Sequence, residues 1–411
     1  MTTKLAKTAL RNISRNKRRS ILSGSAIGIS AMAIVFLFSL IGGMADDMAF
    51  NLKTYYTGEV RVRNAKYDEF ERYNPLHLTV DWKSTSKVLK NIGDIDVYVP
   101  RITFPSNLYI KGSNFGAMGV GADFSMEANF QDLNSSLKAG RLPQTGKNEM
   151  MMGAVLARDL KLKIGDKVTI LSTTAARGTN AITLKIVGLF AFPVGTLNSK
   201  YFWMPLDRAQ YFLRMDGGVQ EVLIKVKKDV NVKKAASAIN TELLNKTGQT
   251  LDIRSWEDLS TTYGLMKMAD MVYNFIAIFF FLLGSTVIIN TTMMVIFERM
   301  REIGTLGALG MHGKELVRLF FLEGTFISMI GSAIGIAAGI GITLWVGRTG
   351  LDFTDAMSGM DFEISAIMYP KLNAAKTIFV YFYSVIIASG ATLIPSRKAA
   401  KIEPVDALRY I

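Results

Sequence analysis

The sequence predicts an α-helical membrane protein with four transmembrane helices and a large α/β (α+β) extracytoplasmic domain inserted between helices 1 and 2. Three observations predict it. Four apolar stretches, at 20–45, 271–297, 319–347 and 377–395, are each long enough to cross a bilayer, which takes roughly 20 residues. The chain has a positive mean hydropathy of +0.24 over 411 residues, so part of its apolar content is expected to meet lipid. Its net charge of +14 is concentrated beside the apolar runs. A basic excess placed there fits an anionic membrane surface better than nucleic acid.

The basic segment 1–19 carries Lys4, Lys7, Arg11, Arg15, Lys17, Arg18 and Arg19 and no acid. The run from Ser20 to Ala45 is uncharged and much longer than the 7–15 residues of a signal-peptide core, and it has no A-x-A cleavage end. It is therefore expected to stay as helix 1. Positive charge marks the cytoplasmic side of short loops. That rule keeps the N-terminus inside, together with the 298–318 link (Arg299, Arg301, Lys314, Arg318) and the 396–411 tail (Arg397, Lys398, Lys401, Arg409). The 348–376 loop, with Asp352, Asp355, Asp361 and Glu363, suits the outside. The expectation is a multi-pass protein of a bacterial inner membrane with both termini cytoplasmic.

Residues 46–270 are too long and too polar for a loop. Alternation predicts strands at 55–63, 96–102, 166–171, 183–190 and 219–227, with helical character over 232–244. Pro100, Pro105, Gly112, Gly116, Gly119 and Gly121 read as punctuation in the middle. We expect a membrane-proximal α/β unit made of 46–105 and 218–270, with a subdomain, 106–217, inserted into it. There is no cysteine, so disulfides and thiolate metal sites are excluded. His77 and His312 lie far apart and read as ordinary polar residues. No bound cofactor, metal site or catalytic constellation is expected.

The link 298–318 mixes apolar Ile303, Leu306, Leu309 and Met311 with Gly304, Gly307 and Gly310 behind a charged head of Glu298, Arg299, Arg301 and Glu302. A solvated turn would not need these apolar residues. A short helix at the membrane surface with a small-residue face toward another protein fits better. The segments REIGTLGALGM and LFFLEG, the ending IPSRKAAKIEPVDALRY and the opening ALRNISRNKRRSILSGSAIGIS resemble the permease family that includes FtsX, the MacB exporter and the lipoprotein-releasing LolC/LolE subunits. The order of one span, one large domain and three spans is similar over the whole chain.

The resemblance implies that the link is a coupling helix docking an ATP-hydrolysing partner through Glu298, Arg301, Glu302, Gly304, Leu306 and Gly310. It also implies an ATPase homodimer as the source of ATP and Mg chemistry, a second permease copy or sister permease, and a lipoprotein as cargo. A P-loop is missing from the sequence. The nearest approach, Gly313-Lys314, has Ala308 in place of the first Gly and Glu315 in place of Ser or Thr. The chain is thus expected to be a transport subunit and not an enzyme. Segments 139–171 and 184–213 look like the LolC/LolE and MacB outer domain, the second more like LolC/LolE. The stretch 172–181 lacks the proline-containing hook with which LolC captures a periplasmic carrier. Carrier docking is therefore left open. MacB-like export of a drug, peptide or other amphiphile, and FtsX-like signalling to a cell-wall hydrolase, are the alternatives.

Two further sets are singled out. Gly331, Gly335 and Gly339 share one helix face and permit close helix approach in lipid, echoed by Gly24 and Gly28. Whether they pack within the subunit or across a dimer is open at this stage. Phe38, Met44, Met48, Tyr263, Met266, Met268, Tyr273 and Phe275 gather near the outer ends of helices 1 and 2. They read either as an interfacial aromatic belt or as an adaptable lining of the substrate cavity.

Overall fold

The structure is a computed structural model that describes residues 2–15, 17–259, 261–298, 300, 303–305, 310–353 and 365–401. The chain divides into two compact units. One comprises 1–45, 265–351 and 368–411, and the other comprises 46–264 and 352–367.

The first unit is helical. Four helices are long and apolar enough to cross a membrane, at Ser20–Tyr56, Met271–Glu298, Gly313–Thr349 and Ala374–Ala399. They are called here the first to fourth spans. The third begins six residues before its expected start and the fourth runs on through Pro395, because polar turns extend each helix beyond its apolar stretch. An amphipathic helix, Thr2–Arg15, precedes the first span. The bundle interior is one apolar cluster fed by all four spans: Ala31, Ile34, Val35 and Phe38 from the first, Ala277 and Phe281 from the second, Ile336 from the third, Val380 from the fourth. Hydroxyl pairs join the spans inside it. Ser23 Oγ and Thr291 Oγ1 lie 2.7 Å apart, and Ser384 Oγ donates to Ser332 Oγ at 2.7 Å. Such bonds hold helices together where lipid gives no hydrophobic drive for association.

The second unit is built on one ten-stranded sheet. Its strands are β1 (Val60–Asn64), β2 (Ile95–Ile110), β3 (Ser113–Ala122), β4 (Leu137–Gly140), β5 (Glu149–Gly153), β6 (Lys167–Thr173), β7 (Thr179–Phe190), β8 (Tyr201–Pro205), β9 (Glu221–Val226) and β10 (Leu251–Ser255). The order is β10-β1-β9-β2-β3-β8-β5-β7-β4, and β6 pairs with both β2 and β7. The ladder β2-β3-β8-β5-β7-β6 therefore closes on itself as a six-stranded ring. Alternate residues of its strands, among them Phe104, Leu108, Met150, Met152, Ile170, Leu184, Ile186 and Phe202, are fully buried and fill it. The open part, β10-β1-β9-β2, buries Val60, Val62, Val222 and Ile224 with Ile239 and Leu243 of the helix Val232–Thr247. Strand β2 belongs to both parts, so one strand runs through the 105/106 boundary expected between a membrane-proximal unit and an inserted subdomain.

Three expectations change. Residues 55–63 are not one strand. The first helix runs on to Asn51, ends in a π-turn at Leu52–Tyr56, and reaches β1 only after Gly58 at φ +67°. The punctuated stretch 100–121 is a long hairpin, not a series of turns. Its glycines make room for neighbours: a Cβ on Gly119 would lie 2.3 Å from the Phe104 ring, and one on Gly121 would lie 2.3 Å from Ala209 Cβ. The helix carrying the second span begins at Thr261, inside the stretch assigned to the outer domain.

Candidate functional site

The link end of the bundle is assembled from three spans. Ile296 and Ile303 pack with Leu316, Phe320 and Ala399, all buried, and Met311 packs against them. This accounts for two apolar residues of the link: Ile303 and Met311 seat it on the bundle, while Leu306 and Leu309 lie outside the described residues. Glu298 is exposed at the end of the second span, Gly304 is buried, and Gly310 is exposed with φ +95°, where any side chain would be strained. Arg301, Glu302 and Leu306 lie outside the described residues. Next comes His312, whose N–H donates to the Glu315 carboxylate at 3.2 Å as the third span starts.

The amphipathic helix joins the same end of the bundle. Asn12 Nδ2 donates to Glu323 Oε1 at 2.5 Å, and Ile13 packs on Ile27, Ile288, Ile327 and Ala388. Glu323 is 2% exposed within the third span. A buried carboxylate in an apolar span is costly and needs a partner. The sequence carried this signal in LFFLEG, as a lone acid in an apolar run, but offered no sign that Asn12 answers it.

The glycine ladder lies at a crossing of the first and third spans within one chain. A Cβ on Gly331 would fall 2.5 Å from Gly24 O, one on Gly335 2.0 Å from Gly28 O, and one on Gly339 3.1 Å from Met32 O. The two backbones touch, and no side chain fits between them.

The residues proposed to line a cavity do not share one environment. Phe38 is 6% exposed and packs in the bundle interior, with Tyr273 half-buried against the same cluster. Met44 is half-buried and Met48 buried, whereas Met268 and Phe275 are 66% and 65% exposed. The side chains of Tyr263 and Met266 lie outside the described set.

Sequence reading missed a polar network on one face of the outer-domain sheet. Arg101 on β2 is buried and forms a bidentate pair with Glu127, Nε to Oε1 at 2.5 Å and Nη2 to Oε2 at 2.9 Å. Gln131 donates to the same carboxylate at 2.8 Å. Arg101 Nη1 also donates to Tyr55 O at 2.6 Å, which ties the π-turn at the end of the first helix to the sheet. The guanidinium lies 5.1 Å from the centre of the Trp203 ring. Beside it, Arg63 bridges Glu221 at 2.7 Å and Glu71 at 2.9 Å, and its charge sits over the Tyr67 ring. Burial pushes the Tyr67 phenol up to about 12, while Gln220, donating to its oxygen, pulls the other way. Lys225 donates to Phe130 O at 2.5 Å, and burial lowers its affinity for the proton. No local pattern announces these pairs, since Arg101 and Glu127 stand on different elements.

Among the described residues no group of three or more His, Cys, Asp or Glu side chains is placed to hold a metal ion. What the molecule offers is a helical bundle, and an outer domain whose sheet is fastened through Arg101 to the π-turn Leu52–Tyr56.

The comparisons with known proteins fit this arrangement. The MacB-like periplasmic core domain family matches residues 20–242, more than half of the chain, and the FtsX-like permease C-terminal family matches 274–404. The LolC transmembrane protein of a lipoprotein-releasing system from Neisseria meningitidis is 21% identical over 95% of this chain and 93% of its own length. A macrolide export ATP-binding/permease protein MacB from Bdellovibrio bacteriovorus is 23% identical over 97% of this chain but only 60% of its own length. The crystal structure of the periplasmic region of MacB from Actinobacillus actinomycetemcomitans superposes on 52% of the chain and 96% of its own with a TM-score of 0.39 and 15% identity. With matches to both family models, in the order in which the outer domain and the spans occur, the chain belongs to the FtsX/MacB/LolC family of ABC transporter permeases.

Proposed function

We propose that this chain is the permease of an ABC transporter that extracts lipoproteins from the outer leaflet of the inner membrane for transfer to the outer membrane. The carrying observation is the end-to-end similarity to the LolC transmembrane protein of a lipoprotein-releasing system, together with the lack of a P-loop in this sequence. A separate ATPase homodimer docks on the 298–318 link through Glu298, Arg301, Glu302, Gly304, Leu306 and Gly310. ATP and Mg are bound there and not by this chain. Two permeases, identical or sister, enclose the cargo. Both termini and the link face the cytoplasm, as the basic residues at that end of the bundle favour. A periplasmic carrier is a further partner only where an element other than 172–181 receives it.

Reconstitution of the permease with its ATPase tests the reading. ATP should release a triacylated lipoprotein from proteoliposomes. Normal ATP turnover with the lipoprotein left in the bilayer would overturn the cargo assignment. Substitution of Glu302 or Gly304 should abolish co-purification of the ATPase. If the complex stays intact, the docking assignment fails. The match of the MacB core domain over 20–242 favours a second reading, export of a drug, peptide or other amphiphile. A drug-extrusion assay on the same proteoliposomes separates the two.

A further inference from the structure

A groove of about 540 Å³ runs along the crossing of the first and third spans, and its walls are almost wholly apolar. Gly24, Gly28, Gly331 and Gly335 are among its lining residues, so its floor is backbone. Ile21, Ile29, Ile330 and Ile334 flank it at 68%, 60%, 51% and 65% exposure. At the end near the amphipathic helix the lining turns polar, with Ser14, Lys17 and Ser20. That end is held in place, because Asn12 is bonded to Glu323 and Ile13 is packed on a cluster fed by all four spans.

Residues 1–45 contain no acid, and Lys17 of the lining and Arg18 next to it are both exposed. The two acids on the facing part of the third span are engaged, Glu323 by Asn12 and Glu315 by the His312 N–H. The mouth is therefore cationic. A slot without side chains on its floor, ending at a lysine, matches a lipid tail below a negative headgroup.

We propose that this groove seats an acyl chain of an anionic phospholipid, with the phosphate held at Lys17. Apolar contact alone cannot select this lipid, because the surrounding tails are equally apolar. Selection comes from the fit of the tail against bare backbone and from the phosphate–lysine contact, whose attraction for anionic headgroups neutral lipids lack. A second copy of the chain fits less well. A two-fold contact through this patch would bring the basic end of both copies into one interface, with no acid in residues 1–45 to pair it. The inference is independent of the cargo.

The test uses the full chain, purified in detergent and stripped of lipid. Phosphatidylglycerol and phosphatidylcholine with identical tails are added, and bound lipid is read by native mass spectrometry alongside the melting temperature. Phosphatidylglycerol should bind at one molecule per chain and raise the melting temperature, and phosphatidylcholine should do neither. Lys17→Gln should weaken the binding about five-fold. Ser25→Phe, at an exposed groove residue, should block it while leaving the unliganded melting temperature unchanged. Equal binding of the two lipids, or phosphatidylglycerol binding untouched by both variants, overturns the proposal. So does efficient oxidative dimerisation of Ile21→Cys in membranes, which would place a second copy on the groove. The natural chain has no cysteine to confuse that result.

Discussion

Arg101 and Glu127 place two opposite charges in the interior of the outer domain, and their value depends on their remaining together. Each loses its water on burial, and the bidentate contact with Gln131 and the Tyr55 carbonyl replaces it. Removing one partner strands the other. Arg101→Ala is expected to destabilise the domain by about 3 kcal/mol, and the paired change Arg101→Met with Glu127→Leu should recover most of the loss. Chemical unfolding followed by tryptophan fluorescence, to which Trp203 beside the Arg101 guanidinium contributes, measures both. A second residue-scale effect concerns acid. Arg141 donates to both oxygens of Glu149 at 2.8 and 2.6 Å, and this holds the carboxyl below its usual range. A depressed folded value means the contribution is present above the ordinary carboxylate range and is lost as pH falls through the folded value. Melting temperature should therefore drop on acidification below about pH 5, and Glu149→Gln should flatten that part of the curve.

At the scale of elements, the first–third crossing makes opposite demands on glycines of one helix. Gly335 has backbone 2.0 Å from where its Cβ would sit, whereas Gly341, six residues on, has nothing within 4 Å. Gly335→Ala must push the two spans apart and should cost about 1–3 kcal/mol, as overpacking does. Gly341→Ala meets no obstacle and should be neutral or stabilising by up to about 1 kcal/mol, the helix-propensity difference. Melting in detergent compares the two directly. The sequence already showed the spacing of the third-span ladder, because a period of four on an apolar helix is local. It could not show that Gly24 and Gly28 are the partners, because that contact joins residues some 300 apart. The same division runs through the outer domain. Strands β2, β6, β7 and β9 could be read from alternation, but the β6–β2 pairing that closes the ring is non-local and left no trace. Pro100 through Gly121 misled in the other direction, because glycines that admit Phe104 and Ala209 look like turn residues until the neighbours are known. Of the residues proposed for coupling, Gly310 carries its own signal, a glycine at positive φ ahead of a helix start, while the Asn12–Glu323 pair needed the fold to meet.

For the whole molecule, topology decides whether the family's mechanism can operate. The amphipathic helix, the link, the start of the third span and the end of the fourth gather at one end of the bundle. Asn12 meets Glu323, Ile303 meets Leu316 and Ala399, and Gly313 approaches Ala400. The proposed docking of an ATPase on the link requires this end of the bundle to face the cytoplasm. The absence of cysteine from the sequence makes the arrangement directly measurable. Tyr73 is 80% exposed in the outer domain, and Lys401 is exposed just beyond the fourth span. In intact spheroplasts, Tyr73→Cys should react with a membrane-impermeant maleimide, and Lys401→Cys should react only after permeabilisation. Both sites are surface positions, so neither change should disturb folding. Labelling of Lys401→Cys from outside would invert the topology and remove the link from reach of any cytoplasmic ATPase.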